Sequence, residues 1–167
     1  MIALQITEVK QFMNKLLNSD CFDSFLLEEA TISTYNNFII DGHQNKEFYT
    51  KEELEDPEIF SYEFSKWSTV RPICLSLVKG KKTPTYFKFV LNLMPEHVYS
   101  TLEKGNLSSF NTQIKTFVLT IKFDSNGLLL TTGTSFSSFV LDKSPDALWD
   151  TTIKNFLLGK QISFEEL

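Results

Sequence analysis

The sequence is poor in the residues that metal and redox chemistry require. It contains two cysteines and two histidines. Neither Cys21 nor Cys74 has a second cysteine at the short spacing of a structural zinc site. His43 and His97 stand alone, without carboxylates at matched positions. We therefore expect no metal and no cofactor. Reduced, packed thiols are expected rather than a disulfide, because a chain of 167 residues can bury a core without a covalent link.

Long apolar runs are also missing, and no stretch reaches the length that a bilayer requires. The first residues, MIALQITEVKQFMNKLL, lack the basic leader and the small-residue cleavage site of a secretory signal. The formal net charge is −5, which argues against a protein wrapped by nucleic acid over most of its surface. We expect a soluble cytoplasmic protein without membrane contact, with residues 1–167 forming a single domain.

The familiar nucleotide and hydrolase motifs are absent. Gly80 and Lys81 lie in VKGKKTP, but a P-loop needs glycine where Leu75 stands and a hydroxyl residue where Lys82 stands. No Gly-x-Gly-x-x-Gly fingerprint and no Gly-x-Ser-x-Gly elbow occurs anywhere in the chain. Neither a P-loop enzyme nor a serine hydrolase of the elbow type is predicted.

Helix signals occur in four segments. Apolar residues recur at helical spacing in TEVKQFMNKLLN, with Thr7 as the predicted cap. A proline at the start and a glycine after the end predict a helix over about 95–104. The same marks predict a final helix over about 144–159, capped by Ser144. A short helix is predicted over 51–55.

The remaining apolar residues alternate, which predicts strands joined in hairpins. The first hairpin pairs about 26–34 with 38–42. The second joins RPICLSLV to YFKFVLNL, with KGKKTP as the connection, and the third turns QIKTFVLTIKF through DSNG into LLLTTG. Gly133 is expected to mark a break or bulge, SSFVLD a further strand, and ISF a short strand at the sheet edge. The fold class is therefore α+β, a mainly antiparallel sheet built from hairpins with about three helices packed on one face.

One arginine, Arg71, stands among sixteen basic residues. Its planar fork suits a carboxylate or a phosphate, so Trp67, Arg71 and Asp142 form a candidate ligand-binding set. The simpler explanation is internal. Arg71 would then pair with Asp142, Asp146 or Asp150, or stack on Trp67.

Three further lysines crowd the predicted connection of the second hairpin, at Lys79, Lys81 and Lys82. A basic hairpin with aromatic residues on its strands can bind single-stranded nucleic acid through phosphate contacts and base stacking. The plain structural explanation is that lysines keep the tip of a hairpin soluble and discourage edge pairing. That explanation makes nucleic acid the less favoured partner.

Several stretches together resemble a known family: IALQITEVKQFMNKLL, FIIDGHQNKEFY, WSTVRPICLSLVKGKKTP with FKFV, and TTGTS followed by FVLDKSPDALWD. The family consists of short uncharacterised proteins from clostridial bacteria, catalogued as a domain of unknown function. The resemblance implies a stand-alone, cytoplasmic bacterial protein, and it brings no activity, cofactor or catalytic residue. It gives weight to a set of fold or site determinants, namely Trp67, Arg71, Pro72, Asp142, Lys143, Trp149 and Asp150.

These observations favour a non-catalytic binding or interaction domain whose partner is another protein or a second copy of the chain, a homodimer. One alternative is a small anionic ligand-binding protein or enzyme that uses Arg71, with Asp142 and His43. Another is a nucleic-acid-binding accessory protein that uses the tip from Lys79 to Lys82.

Overall fold

The computed structural model describes all residues, 1–167, as eight strands and five helices. The strands are β1 (Ala3–Ile6), β2 (Phe25–Ser33), β3 (Asn37–Asp41), β4 (Ser65–Lys66), β5 (Tyr86–Leu93), β6 (Ile114–Asp124), β7 (Gly127–Phe136) and β8 (Phe164–Glu166). The helices are α1 (Val9–Asn18), α2 (Lys51–Glu55), α3 (Trp67–Val78), α4 (Pro95–Lys104) and α5 (Ser144–Gly159). Two short 3-10 turns lie at Lys46–Phe48 and Ser108–Phe110.

All strand pairs are antiparallel, and they form one sheet in the order β3-β2-β5-β6-β7-β1-β8, with β4 beside β2. The predicted α+β class and the antiparallel sheet are therefore confirmed. The first hairpin and the third are also confirmed, as β2–β3 and β6–β7. The expected count of about three helices is slightly low, because four helices have seven residues or more and α2 is a fifth.

The core lies between one face of the sheet and four helices. One row of residues crosses five neighbouring strands and is fully buried: Ala30, Phe89, Ile121, Leu130 and Leu4. The helices α1, α3, α4 and α5 contribute buried side chains to the same cluster of 29 residues. Each fully buried Leu, Ile or Phe side chain contributes about 1.5–3 kcal/mol to stability, so this face supplies most of the driving force for folding.

Two tryptophans anchor helices to this face. The Trp67 ring of α3 packs edge-on against Phe89, with the ring centres 5.4 Å apart. The Trp149 ring of α5 stacks on Phe117 at 5.0 Å, and its Nε1 donates a hydrogen bond to the Val118 carbonyl at 2.8 Å. Their burial gives both residues a structural role, since each large ring has its polar N–H satisfied.

The segment RPICLSLV is a helix, and the strand predicted there was wrong. Trp67, Val70 and Cys74 are its buried residues, at the spacing of one helical face. Ile73, which a strand would align with Leu75 and Leu77 on one face, is 56% exposed. Consequently KGKKTP connects a helix to β5 and is not the tip of a hairpin.

The SSFVLD stretch, predicted to be a strand, has no partner in the sheet. Its first residue instead ties back to an earlier turn, where the Ser137 N–H donates to the Gln113 carbonyl at 2.8 Å. Phe139 and Leu141 are 88% and 81% exposed, so the apolar residues here face solvent. Gly133, expected at a break, lies inside β7 opposite Val118.

Two helix starts differ from the expected caps. Helix α1 begins after Glu8 without a side-chain cap, so Thr7 does not fill that role. In α5, Ser144 is the first helical residue, and its N–H donates to the Asp142 carboxylate at 2.8 Å. The short α2 is as predicted: Thr50 and Glu53 form a reciprocal capping box.

The short strand β8 lies at the sheet edge and pairs with β1, but it begins later than the predicted ISF strand and shares only Phe164 with it. Strand β1 itself was not predicted. None of the helices has the length and apolar character needed to cross a membrane.

Candidate ligand-binding cleft

A cleft lies between the end of α3, the loop that follows it and the turn between β2 and β3. Its volume is about 550 Å³, within the range of small-molecule sites. The loop supplies the stretch from Lys79 to Lys82 together with Thr83 and Thr85, and the turn supplies Thr34 and Tyr35. The cleft is therefore built from two segments that are remote in sequence.

Hydrogen bonds anchor both ends of the loop. The Lys79 N–H donates to the Leu75 carbonyl at 2.8 Å, which ends α3. At the other end of the loop, the Thr85 N–H and hydroxyl both donate to the Ser33 carbonyl, at 3.0 and 3.3 Å. These contacts fix the two ends of the loop. Between them, a Cβ atom added at Gly80 would have open space around it.

The cleft carries positive charge that no carboxylate balances. Lys79, Lys81 and Lys82 are exposed, and none of them joins an ion pair. No acidic residue lines the cleft, although the chain has 21 Asp and Glu residues. A structural benefit exists as well, because cations near the C-terminal end of a helix interact favourably with its dipole.

Tyr35 forms the aromatic wall. Its side chain is 86% exposed, and its ring meets Phe38 edge-on at 5.6 Å. In the same turn, Oγ1 of Thr34 is shielded from solvent and has no hydrogen-bond partner. Lysines, hydroxyls and an open aromatic face together provide the groups that bind phosphate oxygens and stack against a planar ring.

The candidate set of Trp67, Arg71 and Asp142 has three separate environments. Trp67 is fully buried, and its Nε1 donates to the Leu16 carbonyl at 3.2 Å. Arg71, in the second turn of α3, forms an ion pair with Asp23, a partner that sequence reasoning did not identify. Asp142 is exposed, and hydrogen bonding from the Ser144 side chain, and then from the Ser144 N–H, lowers the pKa of the Asp142 carboxyl.

His43 lies between two carboxylates at the surface. Its Nδ1 is 2.6 Å from the nearer oxygen of Asp41, and its Nε2 is 3.7 Å from Glu63. The pKa of Asp41 is lowered, first by the hydrogen bond from the His43 N–H and then by the ring. No group of three or more His, Cys, Asp or Glu side chains is arranged to hold a metal ion.

A second cleft of about 530 Å³ lies beside α5, and its charges are balanced internally. Lys143 lies 3.6 Å from the Asp146 carboxylate. The amino group of Met1 lies 2.9 Å from the Asp150 carboxylate. An anion entering this cleft would meet two carboxylates, which distinguishes it from the lysine-lined cleft.

Sequence reasoning found the three lysines of the first cleft and missed Tyr35. The available signal was the position of this tyrosine, directly before the Asn36-Asn37 pair that predicts a turn. What the sequence did not give was the contact between that turn and the lysine loop. Their proximity depends on α3 being a helix that packs against β2.

The chain belongs to a family of unknown function, DUF5721, whose model matches residues 15–165. No curated protein and no solved structure shows a significant match to the chain.

Proposed function

We propose that this family member is a non-catalytic binding protein and that its ligand is a nucleotide phosphate ester, bound in the lysine-lined cleft. The observation that carries the proposal is the unbalanced charge of Lys79, Lys81 and Lys82 beside the open ring of Tyr35. The nucleotide can be free or part of a single strand of nucleic acid, because both sources present the same phosphate and base.

The cleft differs from the protein as a whole in the sign of its charge. The protein as a whole has a net charge of −5, so a general attraction for polyanions is not expected. Within the cleft, three cations have no acidic partner. A phosphate placed there gains the attraction of the lysines without displacing a carboxylate from any of them.

The aromatic ring favours a nucleotide over a simple anion. Thr83 supplies a hydroxyl that can donate to a phosphate oxygen. Tyr35 offers a face for stacking, which contributes about 1–3 kcal/mol per base in single-strand binding proteins. No imidazole or carboxylate lines the cleft to act as a general base, and this supports binding without catalysis.

The test measures binding of a fluorescently labelled single-stranded oligonucleotide by anisotropy, with a nucleoside monophosphate and inorganic phosphate as competitors. We expect binding that weakens with salt at a slope of about −2 in log–log form, from about 0.7 per neutralised phosphate and three lysines. Tyr35→Ala should weaken binding by about tenfold or more through the lost stacking.

The decisive variant replaces Lys79, Lys81 and Lys82 by glutamate, and we expect it to abolish binding. The matched control makes the same charge change at three exposed lysines outside the cleft, Lys10, Lys51 and Lys104.

Equal losses of oligonucleotide affinity in the two variants would refute the cleft as the binding site. An absence of binding by the unmodified protein would refute it as well. If the cleft variant binds the oligonucleotide normally but has lower thermal stability, the role of these lysines is to stabilise the C-terminal end of α3, and the binding proposal is refuted. Displacement by the monophosphate, without tighter binding of the oligonucleotide, would identify free nucleotides as the ligand.

A further inference from the structure

We propose that the protein forms a homodimer by antiparallel pairing of β3 with β3 of a second copy, centred on Ile39. The pairing would join two sheets into one. It involves a surface separate from the lysine-lined cleft and does not depend on the proposed ligand.

Strand β3 is an open edge of the sheet. It pairs only with β2, and none of its backbone groups bonds to a helix or loop on its other side. It contains neither lysine nor proline, which are the residues that usually prevent an edge strand from pairing. The outer backbone groups of Asn37–Asp41 are therefore available to another strand.

The sequence of β3 is complementary to itself. In an antiparallel pair centred on Ile39, Asn37 of each copy lies opposite Asp41 of the other, so that an amide donor faces a carboxylate. Phe38 lies opposite Ile40, and Ile39 lies opposite itself. A shift of register by one residue would place the apolar side chains on the wrong faces.

Burial within one copy fits this arrangement. Phe38 and Ile40 are half-buried, and their β2 partners Ile32 and Ala30 belong to the core. The Phe38 and Ile40 pairs would extend the core across the dimer axis. Ile39 lies on the opposite face and is 75% exposed, so the pairing would cover a large apolar side chain that now faces water.

The other edge of the sheet is unsuited to the same pairing. Strand β8 carries Glu165 and Glu166. An antiparallel pair centred on Glu165 would place two carboxylates directly opposite each other, which is destabilising. Pairing of β3 with β8 of another copy would bring Asp41 near these acids as well. The contrast between the edges therefore favours a closed two-fold dimer over an open chain of subunits.

The first experiment is sedimentation equilibrium on the full chain at concentrations up to about 1 mM, the range of weak complexes. We expect a species of twice the 19.3 kDa chain mass. Ile39→Lys should give a monomer with an unchanged circular dichroism spectrum, because its side chain is exposed. Leu158→Lys, at a site 63% exposed on α5, should remain dimeric. A monomeric unmodified protein would overturn the proposal, and so would a dimer of the Ile39→Lys variant.

The second experiment tests the register by disulfide formation in a Cys21→Ser background. Ile39→Cys places two thiols directly opposite each other, so air oxidation should link the copies. Asn37→Cys is the control, because the two substituted residues would lie four positions apart along the pair, about 13 Å, beyond disulfide range. Linking of the Asn37→Cys variant without linking of Ile39→Cys would overturn this register.

Discussion

The ion pair between Arg71 and Asp23 allows a direct test of what the single arginine does. If the pair holds the fold together, removal of either side chain destabilises the protein. If Arg71 instead serves a ligand, removal leaves stability almost unchanged. Thermal unfolding of Arg71→Met, Asp23→Ala and the double variant forms a cycle that isolates the interaction between the two side chains.

The expected size of the interaction follows from its position. The Arg71 side chain is 19% exposed and that of Asp23 is 33% exposed, so the pair is neither open to solvent nor fully buried. Exposed pairs contribute about 0.2–1 kcal/mol, whereas loss of one partner from a buried pair costs about 3–5 kcal/mol. We expect a coupling energy of about 1–2 kcal/mol. Arg71→Met alone should lower the melting temperature by about 4–8 °C, from a loss of about 2 kcal/mol.

A cycle on the more exposed pair of Lys154 and Glu166, whose charged atoms are 3.2 Å apart, provides the comparison. Its coupling should be clearly smaller. Arg71→Lys should recover only part of the stability, because lysine lacks the planar fork. A coupling energy near zero for Arg71 and Asp23, with full stability of both single variants, would refute the structural role and return Arg71 to consideration as a ligand-binding residue.

Two further predictions concern a close backbone approach and a hydrogen-bonded tyrosine. Gly42→Ala should destabilise the protein by about 3 kcal/mol in chemical denaturation, because the new Cβ would lie 1.8 Å from the Leu27 carbonyl oxygen. Gly80→Ala is the control and should have little effect, because a Cβ at that position has open space around it. A hydrogen bond to Glu96 raises the pKa of Tyr62 to about 12, so stability from this contact is present below pH about 10 and lost as the pH rises through 12. The ultraviolet difference between the unmodified protein and Tyr62→Phe should show one phenol ionising near pH 12, and ionisation near 10 would contradict the contact.

Much of the fold follows from local signals in the chain. The turn at Asn36-Asn37, the capping box at Thr50 and the proline at the start of α4 each act within a few residues, so the sequence reveals them. The alternating strands β5 and β6 were also predictable, because one face of each packs against helices and the other faces outward.

The secondary-structure prediction failed in a segment whose apolar residues fit both the spacing of a strand and the spacing of a helix. In RPICLSLV, the apolar residues fit both alternation and a helix, and Pro72 is unfavourable in a helix interior. The buried positions Trp67, Val70 and Cys74 decide in favour of the helix, because burying Trp67 against the sheet outweighs the missing hydrogen bond at Pro72. The lysine-lined cleft could not be derived from the sequence for the same reason, since it exists only when this segment is helical.

The place of β1 in the sheet has a consequence for how the chain folds during synthesis. Residues Ala3–Ile6 leave the ribosome before their only strand partners, β7 and β8, which lie more than a hundred residues later in the chain. Until Gly127–Phe136 has emerged, Leu4 and Ile6 have no neighbouring strand to cover them. Strand β1 therefore joins the sheet only after β7 has been made, and β8 joins after it; until then, exposed Leu4 and Ile6 favour aggregation.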